Sequence, residues 1–350
     1  MFEDIPNIIR IFGLGAVAFI IAFIAAMPFR KLLQKFGFGK SIREGKTPVF
    51  TKLHKKKSGT PTGAGVIVWG TVLFLALVLA LLAWLFPDTI WGHWNFLSRS
   101  QTWLPLGALV ATAAIGLLDD YLNVKKIGPF GGGLRARYRL LLYTAIAAVG
   151  SWWFFVKLGF DVLHIPGIGD FSIGWLYIPL FILVIVSTAN SVNLTDGLDG
   201  LSGGILAIAF VAFGVIAFAQ ERMDLAAFCA VIAGALLAFL WFNIHPAKFF
   251  MGDTGAISLG TTLGIVAMLT NSVLVLLIIG LPFVIESGSV ILQVAWRKLF
   301  KKKLFRSAPI HHHFEAIGWP ETQVTMRFWL LAAISAAIGL VIGLIGMGSV

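Results

Sequence analysis

The residues able to do chemistry in this chain are gathered in a few short polar runs set between long apolar ones. The densest is Asn190-Ser191-Val192-Asn193-Leu194-Thr195-Asp196-Gly197-Leu198-Asp199. Asn190, Asn193, Asp196 and Asp199 recur every third residue, so if the run is helical two amides and two carboxylates fall near one face, which suits a polar ligand. A turn is the other reading, because Asn, Asp and Gly are the usual turn residues. Four polar groups in register between two membrane-length segments favour a site.

Further runs carry compatible chemistry. Asp119-Asp120-Tyr121 closes an apolar segment. Adjacent carboxylates there repel one another, a divalent cation would relieve that cost, and hard cations such as magnesium prefer oxygen ligands. Solvated acids at a helix end are the alternative. Asn243, His245 and Lys248 precede Phe249-Phe250-Met251-Gly252-Asp253-Thr254-Gly255, where Asp253 has the same character as the earlier pair. Phe249 and Phe250 suit stacking on a base or anchoring a loop in the membrane interface. The basic run Lys55-Lys56-Lys57 leads into Ser58-Gly59-Thr60-Pro61-Thr62-Gly63. Phosphate can be held by lysine and backbone amides in such a segment, anionic lipid would attract the same lysines, and the spacing is not that of a P-loop. Ser307-Ala308-Pro309-Ile310-His311-His312-His313-Phe314-Glu315 holds three consecutive imidazoles. On a helix these diverge by about 100° each, so one or two of them hydrogen bonding to phosphate or sugar is a better reading than three on one metal. Together these groups describe one oxygen-rich, metal-dependent site for a phosphorylated ligand.

What must position them is membrane-embedded. Of 350 residues 58% are hydrophobic and 12% charged, with mean hydropathy +0.91, far from the balance of soluble domains. The apolar segments suit spanning helices rather than barrel strands, so the expected fold is an all-α polytopic membrane protein, one transmembrane domain over residues 1–350. Ten spans are expected, at about 11–29, 63–86, 104–118, 140–157, 175–189, 201–219, 225–242, 256–270, 273–295 and 328–347. No cleavable signal peptide is expected, since the first apolar stretch is long enough to span.

Ten spans put both termini on one side and the loops 30–62, 119–139, 190–200, 243–255 and 296–327 on the other. Of the 27 Lys and Arg, all but Arg10, Arg99, Lys157 and Arg222 fall in those five loops. The positive-inside rule makes the loops cytoplasmic and both termini external, so every polar run above lies on the cytoplasmic face. The net charge of +11 thereby has a topological cause, and nucleic acid is not an expected partner. Cys229 is the only cysteine, which excludes disulfides and thiolate metal sites. Outside, Trp91, Trp94 and Trp103 fit an aromatic belt, and Pro166-Gly167-Ile168-Gly169-Asp170 reads as a hairpin or tight turn. Glu286 is the only acidic residue within the expected spans, either a functional group by default or a protonated or internally paired one in a bent ninth helix.

Asp119-Asp120, Asn190 to Gly200, Phe250-Met251-Gly252-Asp253-Thr254-Gly255 and Ala308-Pro309-Ile310-His311-His312-His313-Phe314-Glu315, in that order, resemble the polyprenyl-phosphate N-acetylhexosamine-1-phosphate transferase superfamily. The histidine motif with Gly318-Trp319 is most similar to its bacterial phospho-N-acetylmuramoyl-pentapeptide transferase branch. The resemblance covers almost the whole chain and implies magnesium-dependent transfer of phospho-MurNAc-pentapeptide from UDP-MurNAc-pentapeptide to undecaprenyl phosphate, giving lipid I and UMP. It implies a multi-pass protein of the bacterial cytoplasmic membrane and a homodimer. It puts Asp253 on the metal, Asp119 and Asp120 near the lipid phosphate, and His312 in the catalytic set. Lys57, Asn193, Asp196, Asp199 and Phe250 would hold the uridine diphosphate end, His312 and His313 the phosphates, with Thr62, Asn190, Asn243 and His311 also in the substrate site. Two positions depart from the family pattern: Gly63-Ala64-Gly65 follows Thr60-Pro61-Thr62 where Met-Gly-Gly is usual, and Arg139 stands where Lys is expected.

Overall fold

A computed structural model describes residues 5–39, 57, 59–129 and 132–347. Lys55, Lys56 and Ser58 of the basic run lie outside the described residues. The helices are α1 (Ile5–Lys35), α2 (Gly65–Leu85), α3 (Ile90–Trp94), α4 (Trp103–Val124), α5 (Ala136–Trp152), α6 (Tyr177–Thr195), α7 (Leu201–Ala219), α8 (Met223–Asn243), α9 (Asp253–Leu269), α10 (Val273–Ile279), α11 (Leu281–Phe300), α12 (Ile310–Ala316) and α13 (Glu321–Met347). Helix is the natural state of such segments, since hydrocarbon offers no partner to a free backbone N–H or C=O.

All ten apolar segments are helical, though not every one meets the length and apolarity of a single straight span. Among the described residues eight helices are each long and apolar enough to cross a membrane: α1, α2, α4, α5 with its continuation to Lys157, α6, α7, α8 and α13. The eighth expected span is α9, only 17 residues long. The ninth is α10 and α11, bent by 84° at their junction. Its cause is local: Pro282, in the first turn of α11, has no N–H to continue the ladder and its ring crowds the preceding turn.

α9 is buried from Thr254 to Leu269. A helix apolar on all sides belongs inside a bundle, and α9 packs against α2, α4, α6 and α7. Its start is approached at backbone distance: a Cβ on Gly116 of α4 would lie 2.5 Å from the Asp253 carbonyl, and one on Gly65 of α2 would run into the Gly255 backbone. Small residues here let helices close up. The segment before α2 also pairs with the segment before α9, through Phe250 N–H to Pro61 O at 2.7 Å, Ala64 N–H to Phe250 O at 2.9 Å and Gly65 N–H to Met251 O at 2.8 Å.

The expected turn at Pro166–Asp170 is a hairpin, with β1 (Val162–Ile165) antiparallel to β2 (Gly169–Ser172) and Leu163 opposite Phe171. Its His164 N–H donates to Asn271, just past α9, at 3.1 Å, and Gly346, near the end of α13, approaches Pro166. Arg10 near the start of α1 pairs with Asp224 at 2.6 Å, close to Gln220, whose amide donates to Thr270 O at 2.8 Å. The ends of α1 and α13 therefore share the hairpin end of the bundle, and the polar runs meet at the other.

Candidate active site

At that end α9 begins with its first amides lacking helical acceptors. Gly252, at φ 75°, turns the chain into the helix and has no side chain to cap it. The cap comes from α4: Asp120 Oδ1 accepts from Asp253 N–H and Oδ2 from Thr254 N–H, both at 3.1 Å. A buried carboxylate at a helix N-terminus satisfies orphan donors and meets the positive end of the helix dipole. A Cβ on residue 252 would lie 2.5 Å from Asp120 Oδ2, so both the turn and the close approach call for glycine.

This cap aims the Asp253 side chain at two other helices. Arg139 Nη1 on α5 lies 2.6 Å from Asp253 Oδ2 and 3.1 Å from Asp119 Oδ2. Asn193 on α6 donates to Asp253 Oδ1 at 2.8 Å, and Asp119 also accepts from Asn123 at 3.1 Å and from the Leu134 N–H. Two carboxylates thus share one guanidinium nitrogen. The Asp253 side chain is 21% exposed and that of Asp119 1%, which makes Asp253 the one open to an incoming ligand.

A second cluster stands beside it. Lys57 Nζ lies 2.6 Å from Asp199 Oδ1, contacts Glu321 Oε1 and sits 5.8 Å from the centre of the Phe250 ring. His245 Nδ1 is 2.9 Å from Asp199 Oδ2, and Ala247 N–H donates to the same oxygen at 3.1 Å. Glu321 Oε1 additionally accepts from Asp199 N–H at 2.7 Å. Burial disfavours the Asp199 charge, but the Lys57 ammonium, reinforced by these hydrogen bonds, outweighs it and holds the carboxyl below its ordinary range. Asp199, His245 and Glu321 offer ligand atoms within 4.8 Å of one another, a set able to hold a metal ion. The Lys57 ammonium already answers both carboxylates, so a cation entering there would compete with it. Asp253 has the more suitable chemistry for a hard dication, a carboxylate partly open to solvent beside a second carboxylate.

The third cluster is α12. His311 Nδ1 and Glu286 Oε2 of α11 lie 2.9 Å apart, both side chains fully buried. His312 Nδ1 lies 2.7 Å from Glu315 Oε2, while His313 Nδ1 accepts from Arg306 N–H at 3.1 Å. A Cβ on Gly197 would collide with His311 Nε2 and approach His312 Nε2 to 3.3 Å, so α12 lies directly on the 190–199 run.

Within that run the threefold helical register does not hold. α6 ends at Thr195, because Asp196 and Gly197 are poor helix formers and an acid at the C-terminus opposes the dipole. The four groups therefore part: Asn193 reaches Asp253, Asp196 Oδ1 accepts from Ser202 at 2.6 Å, and Asp199 joins Lys57. Asn190 is exposed and donates back to Val186 O at 2.7 Å, away from these clusters. Asn243 is buried, accepting from Gly200 N–H at 3.0 Å and donating to Phe249 O at 2.8 Å, which ties two loops together. Thr62 is buried, with its N–H on Phe38 O at 2.8 Å. Glu321 was not among the sequence-derived site residues. Its only sequence signal is an acid after Trp319-Pro320 opening an apolar helix, which reads as ordinary helix-start chemistry.

The family described as Glycosyl transferase family 4 matches residues 102–271. The chain is 41% identical over 332 residues to the phospho-N-acetylmuramoyl-pentapeptide-transferase of Geobacillus thermodenitrificans, covering 93% of this chain and 96% of the relative. With the transferase of the same name from Listeria welshimeri it shares 43% over 326 residues, 92% and 95% of the two chains. With that of Chloroflexus aggregans it shares 36% over 354 residues, 97% and 91%.

Proposed function

The chain belongs to the phospho-N-acetylmuramoyl-pentapeptide-transferase family, and from that premise we propose how its residues divide the work. It is an integral membrane transferase of peptidoglycan synthesis, moving phospho-MurNAc-pentapeptide from its UDP carrier to undecaprenyl phosphate to form lipid I and UMP. Residues 1–350 act as one transmembrane domain in the bacterial cytoplasmic membrane, as a homodimer, with both termini outside and the clusters on the cytoplasmic face. The concentration of Lys and Arg in the loops at that end supports this orientation.

The observation that carries the division of labour is the sharing of Arg139 between Asp119 and Asp253. Phosphoryl transfer needs positioning and charge neutralisation more than covalent help from the protein. Asp253 would hold magnesium, which when bound neutralises charge on the transferring phosphoryl oxygens. Arg139 balances the carboxylates and presents a cation to phosphate, and Asp119 orients the lipid phosphate or removes a residual proton. A phosphate monoester with second pKa about 6 is mostly dianionic at neutral pH, so direct attack on the sugar-linked phosphorus requires little general-base help. Asp120 belongs to the catalytic set by holding the start of α9 and hence Asp253. Lys57, Asn193, Asp196, Asp199 and Phe250 take the uridine diphosphate end, with Phe250 below the base. His312 and His313 take the phosphates, Thr62, Asn243 and His311 complete the surroundings, and Asn190, turned back on its own helix, is left out of the substrate site. The lipid tail leaves sideways along the bent α10–α11 pair.

The test is UMP release from UDP-MurNAc-pentapeptide and, separately, from UDP-N-acetylglucosamine, with and without undecaprenyl phosphate and magnesium. Release is expected only from the first donor with both additions. Preference for the second donor would make the protein a sister transferase, and no release from either would favour transport. Exchange of labelled UMP into the donor without lipid acceptor, at the rate of turnover, would replace direct attack with a phospho-sugar enzyme intermediate.

A further inference from the structure

Resting on the transferase reading, we propose that Glu286 is a positioning residue for the reaction, acting through His311 by fixing which ring nitrogen faces the Asn193–Asp199 stretch. Glu286 lies on α11 and His311 on α12, and neither side chain is exposed at all. With Glu286 as the acceptor in the 2.9 Å Oε2–Nδ1 contact, the imidazole carries its proton on Nδ1. That leaves Nε2 as the atom presented on the far side of the ring. Among the described residues Nε2 has no hydrogen-bond partner, and it stands where a Cβ on Gly197 would be.

The neighbouring residue repeats the arrangement. His312 Nδ1 is 2.7 Å from Glu315 Oε2, the two imidazoles are 4.1 Å apart with planes inclined at 62°, and both Nε2 atoms approach Gly197. Two carboxylate–imidazole pairs thus present Nε2 side by side at the link between Asp196 and Asp199. Ser287 beside Glu286 contacts Ser191 at 2.7 Å, so α11 also meets this stretch one and a half turns earlier in α6.

A simple tie between α11 and α12 does not account for Glu286. A buried carboxylate costs desolvation that a well-packed apolar residue avoids, and an acidic side chain within a membrane-embedded helix is expensive. The second Glu286 oxygen, Oε1, is also buried without a partner among the described residues, so the position forgoes stability that an apolar side chain would supply. Orientation of His311 is what the carboxylate provides.

Two variants and two readouts test this in the full-length protein in detergent. Glu286→Gln keeps the shape and an acceptor but removes the charge, and its kcat for lipid I formation is expected to fall about 10- to 100-fold, with KM for UDP-MurNAc-pentapeptide within about twofold. Glu286→Asp, which keeps the charge, is expected to recover part of the loss. Selective ¹⁵N-histidine spectra should show His311 protonated on Nδ1 in the wild type and a mixed population of the two tautomers in Glu286→Gln. In a His311→Asn background the Glu286→Gln substitution should cost nothing further. A Glu286→Gln protein with unchanged kcat and only a lower Tm, an unchanged His311 spectrum, or an equal loss in the His311→Asn background would overturn the assignment. The wild-type assay separates the two levels: lipid I formation with any of these results leaves the transferase reading standing, whereas no UMP release overturns that reading.

Discussion

The carboxylate of Asp120 accepts the backbone N–H of Asp253 at 3.1 Å, so adjacent acids on α4 do different work. Asp119 faces Arg139, whereas Asp120 closes the end of α9. Asp120→Asn turns an acceptor into a donor against either the Asp253 or the Thr254 amide and is expected to cost about 1–3 kcal/mol of stability. Its lost activity should follow lost structure. Asp253→Asn is expected to keep Tm within about 2 °C while magnesium-dependent turnover falls at least about 10²-fold. Thermal unfolding alongside turnover against magnesium concentration distinguishes them. A destabilised Asp253→Asn with normal activity would exchange the two roles.

Arg139 reaches both carboxylates through one nitrogen, Nη1. The planar fork that separates Arg from Lys is therefore not engaged as a fork between them, and a point charge can serve. Arg139→Lys is expected to retain kcat within about tenfold, whereas Arg139→Gln, which leaves two facing carboxylates uncompensated, should lose about 10²-fold or more. Steady-state kinetics of both variants decide it, and equal losses would show that the fork geometry matters.

Asp199 is held ionised by Lys57, with His245 and the Ala247 amide in support. Its folded pKa lies below the ordinary value, so the stability it contributes is present above the unfolded-state value of about 4 and is lost as pH falls through the folded value. Asp199→Asn should therefore be less stable than wild type at neutral pH, and the difference should close below about pH 4. At neutral pH the variant should bind the UDP-sugar at least about tenfold more weakly with the magnesium requirement unchanged. Calorimetric titration of the donor and a magnesium series check this, and a shifted metal requirement with unchanged donor affinity would move the cation to the Asp199–His245–Glu321 set.

What the sequence made legible follows from how local each signal is. Apolar segments announced their helices because lipid enforces that state on each one separately, and Pro282 marks the bend within the chain itself. The acidic and histidine runs could be recognised as runs. Their partners could not, since Arg139 meets Asp253 across 114 residues, Lys57 meets Glu321 across 264 and Glu286 meets His311 between two helices. The end of α6 at Thr195 was masked by spacing: four polar residues every third position imitate a helix face, yet the Asp-Gly pair inside them stops the helix.

The glycines at the start of α9 carry the last prediction. A Cβ on Gly116 would lie 2.5 Å from the Asp253 carbonyl oxygen and 2.6 Å from Thr254 Cα, both backbone atoms that no rotamer change can move. Gly116→Ala must push α4 and α9 apart, at an overpacking cost of about 1–3 kcal/mol. The displacement falls on the residue whose N–H Asp120 holds and whose side chain Arg139 and Asn193 hold, so activity should fall more than the Tm loss alone explains. Gly107 on the same helix has open space where its Cβ would be, and Gly107→Ala is expected to match or slightly exceed wild-type stability with unchanged turnover. Parallel Tm and kcat measurements on the pair test whether α4 sets the position of Asp253. Wild-type kinetics in Gly116→Ala would show that the start of α9 tolerates displacement and that its close packing serves stability alone.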